Sequence, residues 1–160
     1  MINIIKANIT RQEKGLLLMK MLLMEEFSRL EDRNPEGVTR IEFSLQELIR
    51  QLAAERASLR RLVPRIDPAA ERLRDLYPIL DEETVAYFKA SLKSLDKMEQ
   101  QCAVQAAKNQ TMVRGLYETT TSMLDFLHNE IKPKPQNAYG ANGKFIQKSE
   151  NQPRLVRGRL

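Results

Sequence analysis

The pattern of apolar and polar residues predicts three long helical segments. In the first, residues 2–32, one stripe of positions alternates steps of three and four residues, the spacing of a coiled-coil seam. Between Leu16 and Met24 this segment is apolar almost all round, so we expect neighbouring structure to cover it on more than one face. The stripe consists of Ile2, Ile5, Ile9, Gln12, Leu16, Met19, Leu23, Glu26 and Leu30.

The second segment follows a break at residues 34–37, Asn-Pro-Glu-Gly, where proline and glycine both oppose helix continuation. We predict a helix from about residue 38 to residue 62. Prolines at positions 64, 68 and 78 then indicate a connector over residues 63–82. Because proline is favoured in a first helical turn, we expect one short helix in it, at residues 68–76. The stripe of the second helix is Leu45, Leu48, Leu52, Leu59 and Leu62, with Glu55 as the exception.

The third segment, residues 83–131, has the longest seam. Asp81 is a suitable N-cap, no proline lies between Pro78 and Pro133, and Gly115 is its only glycine. We predict one nearly continuous helix of roughly 73 Å at ~1.5 Å per residue. The predicted seam is Val85, Phe88, Leu92, Leu95, Glu99, Cys102, Ala106, Asn109, Val113, Leu116, Thr120, Met123 and Leu127.

The unequal lengths of the three helices predict both a fold and an uncovered surface. The third helix exceeds either of the others by at least about 27 Å at ~1.5 Å per residue. We predict an all-α, elongated antiparallel helical bundle with coiled-coil-like packing, comprising residues 1–132 and followed by a flexible basic tail, residues 133–160. Part of the third seam is then thinly covered in the isolated chain, which indicates a partner.

Composition narrows the class of protein. Aromatic residues make up 6% of the chain, with no Trp and only six Gly, which argues against a β-sandwich or barrel. One Cys and one His are too few for an intramolecular disulfide, an ordinary zinc site or a di-iron bundle. We therefore expect no enzymatic activity, no metal and no cofactor. We expect Cys102 to be a packing residue in a reducing compartment.

The longest apolar run, residues 16–24, is interrupted by Lys20 and is about half of the ~20 residues that span a bilayer. Acidic residues follow it at once, and there is no cleavage site of a signal peptide. We therefore expect a cytoplasmic protein without direct membrane insertion.

The net charge of +5 comes from the C-terminal tail, since residues 133–160 contain six basic residues and one acidic residue. The preceding residues are neutral overall. The tail could steer the protein towards an acidic partner or nucleic acid, or it could only be a solubilising end. We expect no nucleic-acid binding.

Two features of the helices admit more than one interpretation. Asn109, in the middle of the third seam, is either a register-fixing or partner-contacting polar residue, or a sign that the seam turns to solvent there. The methionines Met19, Met21 and Met24 cluster in the first helix. Flexible thioethers suit surfaces that accept several partners, and they also fill gaps in cores.

The tail contains an aromatic residue beside a turn. Residues 138–145 read Ala-Tyr-Gly-Ala-Asn-Gly-Lys-Phe, in which Gly140 and Gly143 free the backbone and Tyr139 stands next to the turn. An exposed tyrosine in a flexible basic segment contributes contact area at small entropic cost. We interpret this segment as a short docking motif.

Three features of the C-terminal part occur in a fixed order: a proline-free helix with Asn109-Gln110 in mid-seam, a proline-containing break at residues 133–135, and then Tyr139-Gly140-Ala141-Asn142-Gly143. This order resembles the FlgN-type flagellar export chaperones, which have a helical hairpin or bundle, a C-terminal helix and a tail with Tyr-Gly-x-x-Gly. In architecture the resemblance spans essentially the whole chain, and in motifs it covers about residues 99–144.

The resemblance implies a cytoplasmic type III secretion chaperone that uses no ATP. Its clients would be the hook–filament junction proteins FlgK and FlgL, whose C-terminal helical segments it holds unassembled. By likeness to the family, Tyr139, Gly140 and Gly143 would dock to the export gate protein FlhA. The client-binding residues would be Asn109, Val113, Leu116, Met123 and Leu127.

A different class of function is also compatible with this seam. A structural coiled-coil adaptor would self-associate through residues 106–127 and bury them in a stable dimer, whereas a chaperone would leave part of this surface available. Binding of nucleic acid by the tail would instead show a steep dependence on salt.

Overall fold

A computed structural model describes residues 1–131 of the chain. Three long α-helices, α1 (Ile2–Glu31), α2 (Pro35–Leu62) and α3 (Glu82–Ile131), account for most of these residues. Two short 3₁₀ helices, Val63–Arg65 and Leu73–Ile79, connect α2 to α3. The described residues contain no strand, so the predicted all-α fold and the single long third helix are confirmed.

The chain divides into two compact units, Met1–Glu118 and a second unit that begins at Thr119. The first contains α1, α2 and the part of α3 up to Glu118. The described part of the second unit is helical throughout, as residues 119–131 of α3. The predicted boundary between body and tail, at residues 132–133, lies outside the described residues.

The turn between α1 and α2 is formed by a helix C-cap and a helix N-cap in immediate succession. Arg33 has a φ of 51°, and the N–H of Asn34 donates to the carbonyl of Arg29 at 2.9 Å, which is the Schellman arrangement. The Asn34 side chain then accepts the N–H of Gly37 at 2.9 Å, with Pro35 as the first helical residue. The second helix therefore begins at Pro35 instead of residue 38, because this proline starts the helix rather than breaking it.

α1 and α2 are antiparallel, since residues early in α1 contact residues late in α2. Asn8 Nδ2 donates to the carbonyl of Glu55 at 3.0 Å, and Leu23 clusters with Ile41 and Leu45 at the other end. Gly15 permits the close approach between them, because a Cβ there would lie 2.8 Å from a methyl carbon of Leu52.

α3 runs parallel to α1 within the first unit. The Lys6 ammonium lies 5.1 Å from the centre of the Tyr87 ring, Lys20 donates to Gln101 at 3.0 Å, and Asn109 contacts Leu23. Contacts advance along both helices in the same direction, so α2 is antiparallel to α1 and α3.

The connector closes the end of the bundle where α1 begins. Its buried residues join one core cluster with Ile5, Ile9 and Phe88. The single short helix predicted for residues 68–76 is replaced by the two 3₁₀ helices. The second of these starts at Leu73, because the Asp75 carboxylate accepts the N–H groups of Glu71 and Arg72. The connector residues in this core are Val63, Ala70, Leu73 and Leu76.

Asp81 starts α3, as predicted, by accepting the N–H of Thr84 at 2.8 Å. This hydrogen bond lowers the pKa of the Asp81 carboxyl below its usual value. The anionic cap thus favours the helix start at neutral pH and is lost when the carboxylate is protonated in acid.

Between Glu99 and Val113 the stripe that α3 buries differs from the predicted seam at every second position. Glu99, Ala106 and Val113 are exposed, and the residue before each is half-buried instead. Adjacent positions are only ~100° apart around a helix, so a broad apolar face does not distinguish them from sequence. The residues of α3 that are buried are Thr84, Phe88, Ser91, Leu95, Cys102 and Asn109.

Two of the helical glycines, Gly15 and Gly115, offer a matched test of this packing. A Cβ at Gly115 would meet no atom within 4 Å, whereas one at Gly15 would collide with Leu52. We expect Gly115→Ala to stabilise the helix by up to about 1 kcal/mol, the difference in helix propensity. Gly15→Ala should raise the free energy of unfolding by less than Gly115→Ala does, or should lower it, because the Leu52 side chain must move. Urea denaturation of both variants measures this, and an equal gain would contradict the close approach at Gly15.

Candidate functional site

Asn109 connects α3 to α1 through buried hydrogen bonds. Its Nδ2 donates to the Leu23 carbonyl at 2.8 Å and to Glu26 Oε2 at 2.6 Å, and its Oδ1 accepts from Gln105 at 3.0 Å. The side chain is only 4% exposed. Of the two interpretations of this residue, the structure therefore supports a register-fixing contact. A client could bind the Asn109 side chain only if its hydrogen bonds to Leu23 and Glu26 were replaced by hydrogen bonds to the client.

The contact between Asn109 and Glu26 determines where α1 stops covering α3. α1 ends at Glu31, five residues after Glu26. Because the two helices run parallel, α1 ends roughly opposite residue 114 of α3. From Tyr117 to Ile131 every residue of α3 is exposed, as the unequal helix lengths predicted.

The other predicted client-binding residues lie at or beyond the end of this cover. In the first unit Val113 is 47% exposed and Leu116 is half-buried. In the second unit Met123 is 63% exposed and Leu127 is 43% exposed.

Sequence reasoning missed several other apolar residues that are exposed near the end of α3. They do not fall on the predicted seam, since that seam followed a single stripe of the helix. The sequence did contain a signal for them, since residues 119–131 have apolar side chains on all faces of the helix, and such a helix needs cover on several sides. These residues are Tyr117, Leu124, Phe126 and Ile131.

A second apolar surface is an open groove of about 1000 Å³ between α2 and α3. Leu16 and Leu23 of α1 form its floor, Ile49 and Ala57 line its α2 side, and Ala103 lines its α3 side. We call it the α2–α3 groove. It was not predicted, because its walls combine residues of three helices whose register the sequence does not give.

Charged side chains surround the α2–α3 groove. Arg56 of α2 and Glu99 of α3, which both line it, form an ion pair at 2.5 Å.

Cys102 donates to the Leu16 carbonyl at 3.5 Å, and burial raises the pKa of this thiol. Cys102 thus lies in the groove as a neutral packing residue, in agreement with its predicted role.

The predicted docking residues Tyr139, Gly140 and Gly143 lie outside the described residues. Among residues 1–131, no helix is long and apolar enough to cross a membrane.

The helices of residues 1–131 leave large apolar side chains exposed along α3 and in a groove, and such surfaces are typical of proteins that bind other proteins. A family model described as "FlgN protein" matches residues 1–145, and the chain belongs to this family. The resemblance found in the sequence is thereby confirmed. The FlgN family comprises flagellar chaperones. No curated protein and no solved structure matches the chain.

The buried contact of Asn109 predicts a measurable coupling between α1 and α3. Asn109→Ala leaves the Glu26 carboxylate without this donor, so we expect a loss of about 1–3 kcal/mol in the free energy of unfolding. Glu26→Ala should cost a similar amount. The double variant should lose less than the sum by about 1 kcal/mol or more, because both partners of one contact are removed together.

Chemical denaturation of the four proteins gives this coupling energy. Gln110→Ala, at an exposed neighbouring position, is the control and should change stability by less than about 0.5 kcal/mol. Strictly additive losses at Asn109 and Glu26 would contradict a direct contact.

Proposed function

We propose that this protein is a cytoplasmic chaperone that holds the hook–filament junction proteins FlgK and FlgL unassembled and delivers them to the export gate. Membership in the FlgN family carries this proposal. The geometry supports it for Val113, Met123 and Leu127, which are exposed in the folded protein, whereas Asn109 is buried.

The proposed client site is on the C-terminal part of α3. Val113 and Leu116 in the first unit, and Met123 and Leu127 in the second, would contact apolar positions of a client helix in the helix-in-groove manner. An apolar helix of the client would shield them from water. Burial of such side chains contributes about 25 cal/mol per Å² of apolar area, part of which offsets the cost of ordering both partners.

Charged substitutions at exposed anchors test this site. Val113→Glu and Met123→Glu should each weaken binding of a C-terminal helical segment of FlgK by about tenfold or more, because a carboxylate would be buried against apolar residues. Isothermal titration calorimetry measures the affinity, and circular dichroism measures the helix content, which should not change.

Ser122→Glu adds the same charge at an exposed position next to Met123 and should leave the affinity within about threefold. If Ser122→Glu weakens binding as much as Met123→Glu, the effect is one of charge and the proposed contacts are wrong.

A wild-type dimer that is stable at nanomolar concentration and buries residues 106–127 would instead support the self-associating adaptor.

Delivery to the gate is proposed to depend on the tail. Tyr139, with Gly140 and Gly143 beside it, would dock to the cytoplasmic domain of FlhA. Basic residues nearby, such as Lys144 and Lys148, would favour an acidic surface mainly through the rate of encounter.

Tyr139→Ala should leave the affinity for FlgK unchanged and weaken binding of the loaded chaperone to purified FlhA cytoplasmic domain. The loss of a buried aromatic anchor predicts roughly tenfold weaker binding or more. Phe145→Ala, the other aromatic substitution in the tail, is the matched control. Equal affinities of wild type and Tyr139→Ala for FlhA would remove Tyr139 from the mechanism.

A further inference from the structure

The α2–α3 groove has the dimensions of a site for a helix. Its volume of about 1000 Å³ is at the upper end of the ~300–1000 Å³ of pockets that bind small molecules. Along α2 its lining residues extend from Leu45 to Arg61, which corresponds to about 24 Å of helix at ~1.5 Å per residue. Along α3 the lining extends from Glu99 to Ala106, about 10 Å at ~1.5 Å per residue. An open groove that is longer on α2 than on α3 fits a helix lying along α2, with about two turns between both walls, better than a compact ligand.

The lining of the groove is apolar and partly formed by small side chains. Ala57 of α2 faces it from one side, and Ala103 and Ala106 of α3 face it from the other. Because alanine side chains are short, a helix could approach both walls closely. Ile49, which is 55% exposed, contributes a large apolar surface that no other described residue covers, so the complementary face of an occupant must be apolar.

The charges at the edge of the groove are mainly basic. Arg56, Arg60 and Arg61 lie along its α2 side, and Glu99 is the one acidic residue among the described residues that line it. Arg56 is paired with Glu99. Arg60 and Arg61 have no ion-pair partner within residues 1–131. Acidic groups on an occupant would therefore be attracted to this side of the groove.

We propose that the α2–α3 groove binds an amphipathic helix of a partner protein, with its apolar face in the groove and acidic side chains towards Arg60 and Arg61. The proposal goes beyond the client site described above, because the groove shares no residue with Asn109, Val113, Leu116, Met123 or Leu127. The basic composition of residues 133–160 disfavours the chain's own tail as the occupant, since like charges would meet at the arginines.

The test uses two fluorescein-labelled synthetic peptides and the full-length protein. Both peptides are amphipathic helices of about 18 residues with the same leucine face, a length matched to the α2 wall at ~1.5 Å per residue. One carries Glu along the flank of that face and the other carries Lys. Fluorescence anisotropy should give a dissociation constant about tenfold lower for the Glu peptide.

Two variants locate the binding in the groove. Ala103→Trp fills it and should weaken binding of the Glu peptide about tenfold or more, whereas Ala107→Trp, one turn further along α3 and outside the groove, should have little effect. Val113→Glu should also have little effect, so failure of the client site and failure of the groove are distinguishable.

A charge reversal at exposed positions avoids the risk of misfolding. The double variant Arg60→Glu and Arg61→Glu should abolish or reverse the preference for the Glu peptide. Lys93→Glu with Lys97→Glu changes the net charge equally at exposed positions outside the groove and should preserve the preference.

Several results would overturn the proposal. These are equal affinity for both peptides, equal effects of Ala103→Trp and Ala107→Trp, or a preference that Lys93→Glu with Lys97→Glu changes as much as the arginine variant does. Tighter peptide binding after deletion of residues 133–160 would identify the tail as the occupant. A dimer in analytical ultracentrifugation that Ala103→Trp dissociates would identify a second copy of the chain.

Discussion

The hydrogen bonds between Asn109 and α1 are the constraint on which the placement of α3 depends. Apolar seams on parallel helices would pack nearly as well after a shift of one heptad. After such a shift Asn109 would lose the Leu23 carbonyl and the Glu26 carboxylate as partners, and both polar groups would stay buried at a cost of about 1–3 kcal/mol each. A comparable polar cluster joins α1 to α2, where Glu55 accepts from Asn8 and Arg11. The apolar core therefore stabilises the bundle, and these two polar contacts select its register.

Both apolar surfaces follow from that register. With Glu26 opposite Asn109, α1 ends where Val113 and Leu116 begin the accessible part of α3 in the first unit. The same alignment brings Ala103 and Ala106 to the side of α3 that faces α2, where their short side chains leave the space of the groove. The ion pair between Arg56 and Glu99 then holds charged groups at the edge of the α2–α3 groove. A shift of one heptad would bring other side chains of α3 to face Ala57 and would change the floor of the groove.

The sequence was sufficient for the three long helices and insufficient for the connector and the groove, for a physical reason. Helix periodicity is a local property, and the stripe that α1 buries was predicted almost residue for residue. The expected cover on more than one face of residues 16–24 is wrong, because Leu17, Leu18, Met21 and Met24 are exposed. The start of α2 at Pro35 depends on the cap formed by Asn34, and the start of the second 3₁₀ helix depends on the cap formed by Asp75. A cap forms only when the backbone before and after it has a suitable conformation, and the residue type alone does not give that conformation. The position of Glu99 and Ala106 outside the buried stripe depends on the packing angle between helices. The exposure of residues beyond Tyr117 needed only helix lengths, so the sequence could predict it.

The apolar side chains at the end of α3 do not contribute to the packing of the bundle, and this has a consequence for their role. Met123, Leu124 and Phe126 are each more than 60% exposed, so polar residues at these positions would not destabilise the core. Exposed apolar groups also promote aggregation, which disfavours them unless a partner covers them. The same reasoning applies to Ile49 in the α2–α3 groove, which is 55% exposed. The end of α3 and the α2–α3 groove are thus apolar at a cost to solubility, as is the face of α1 that contains Leu17, Leu18, Met21 and Met24.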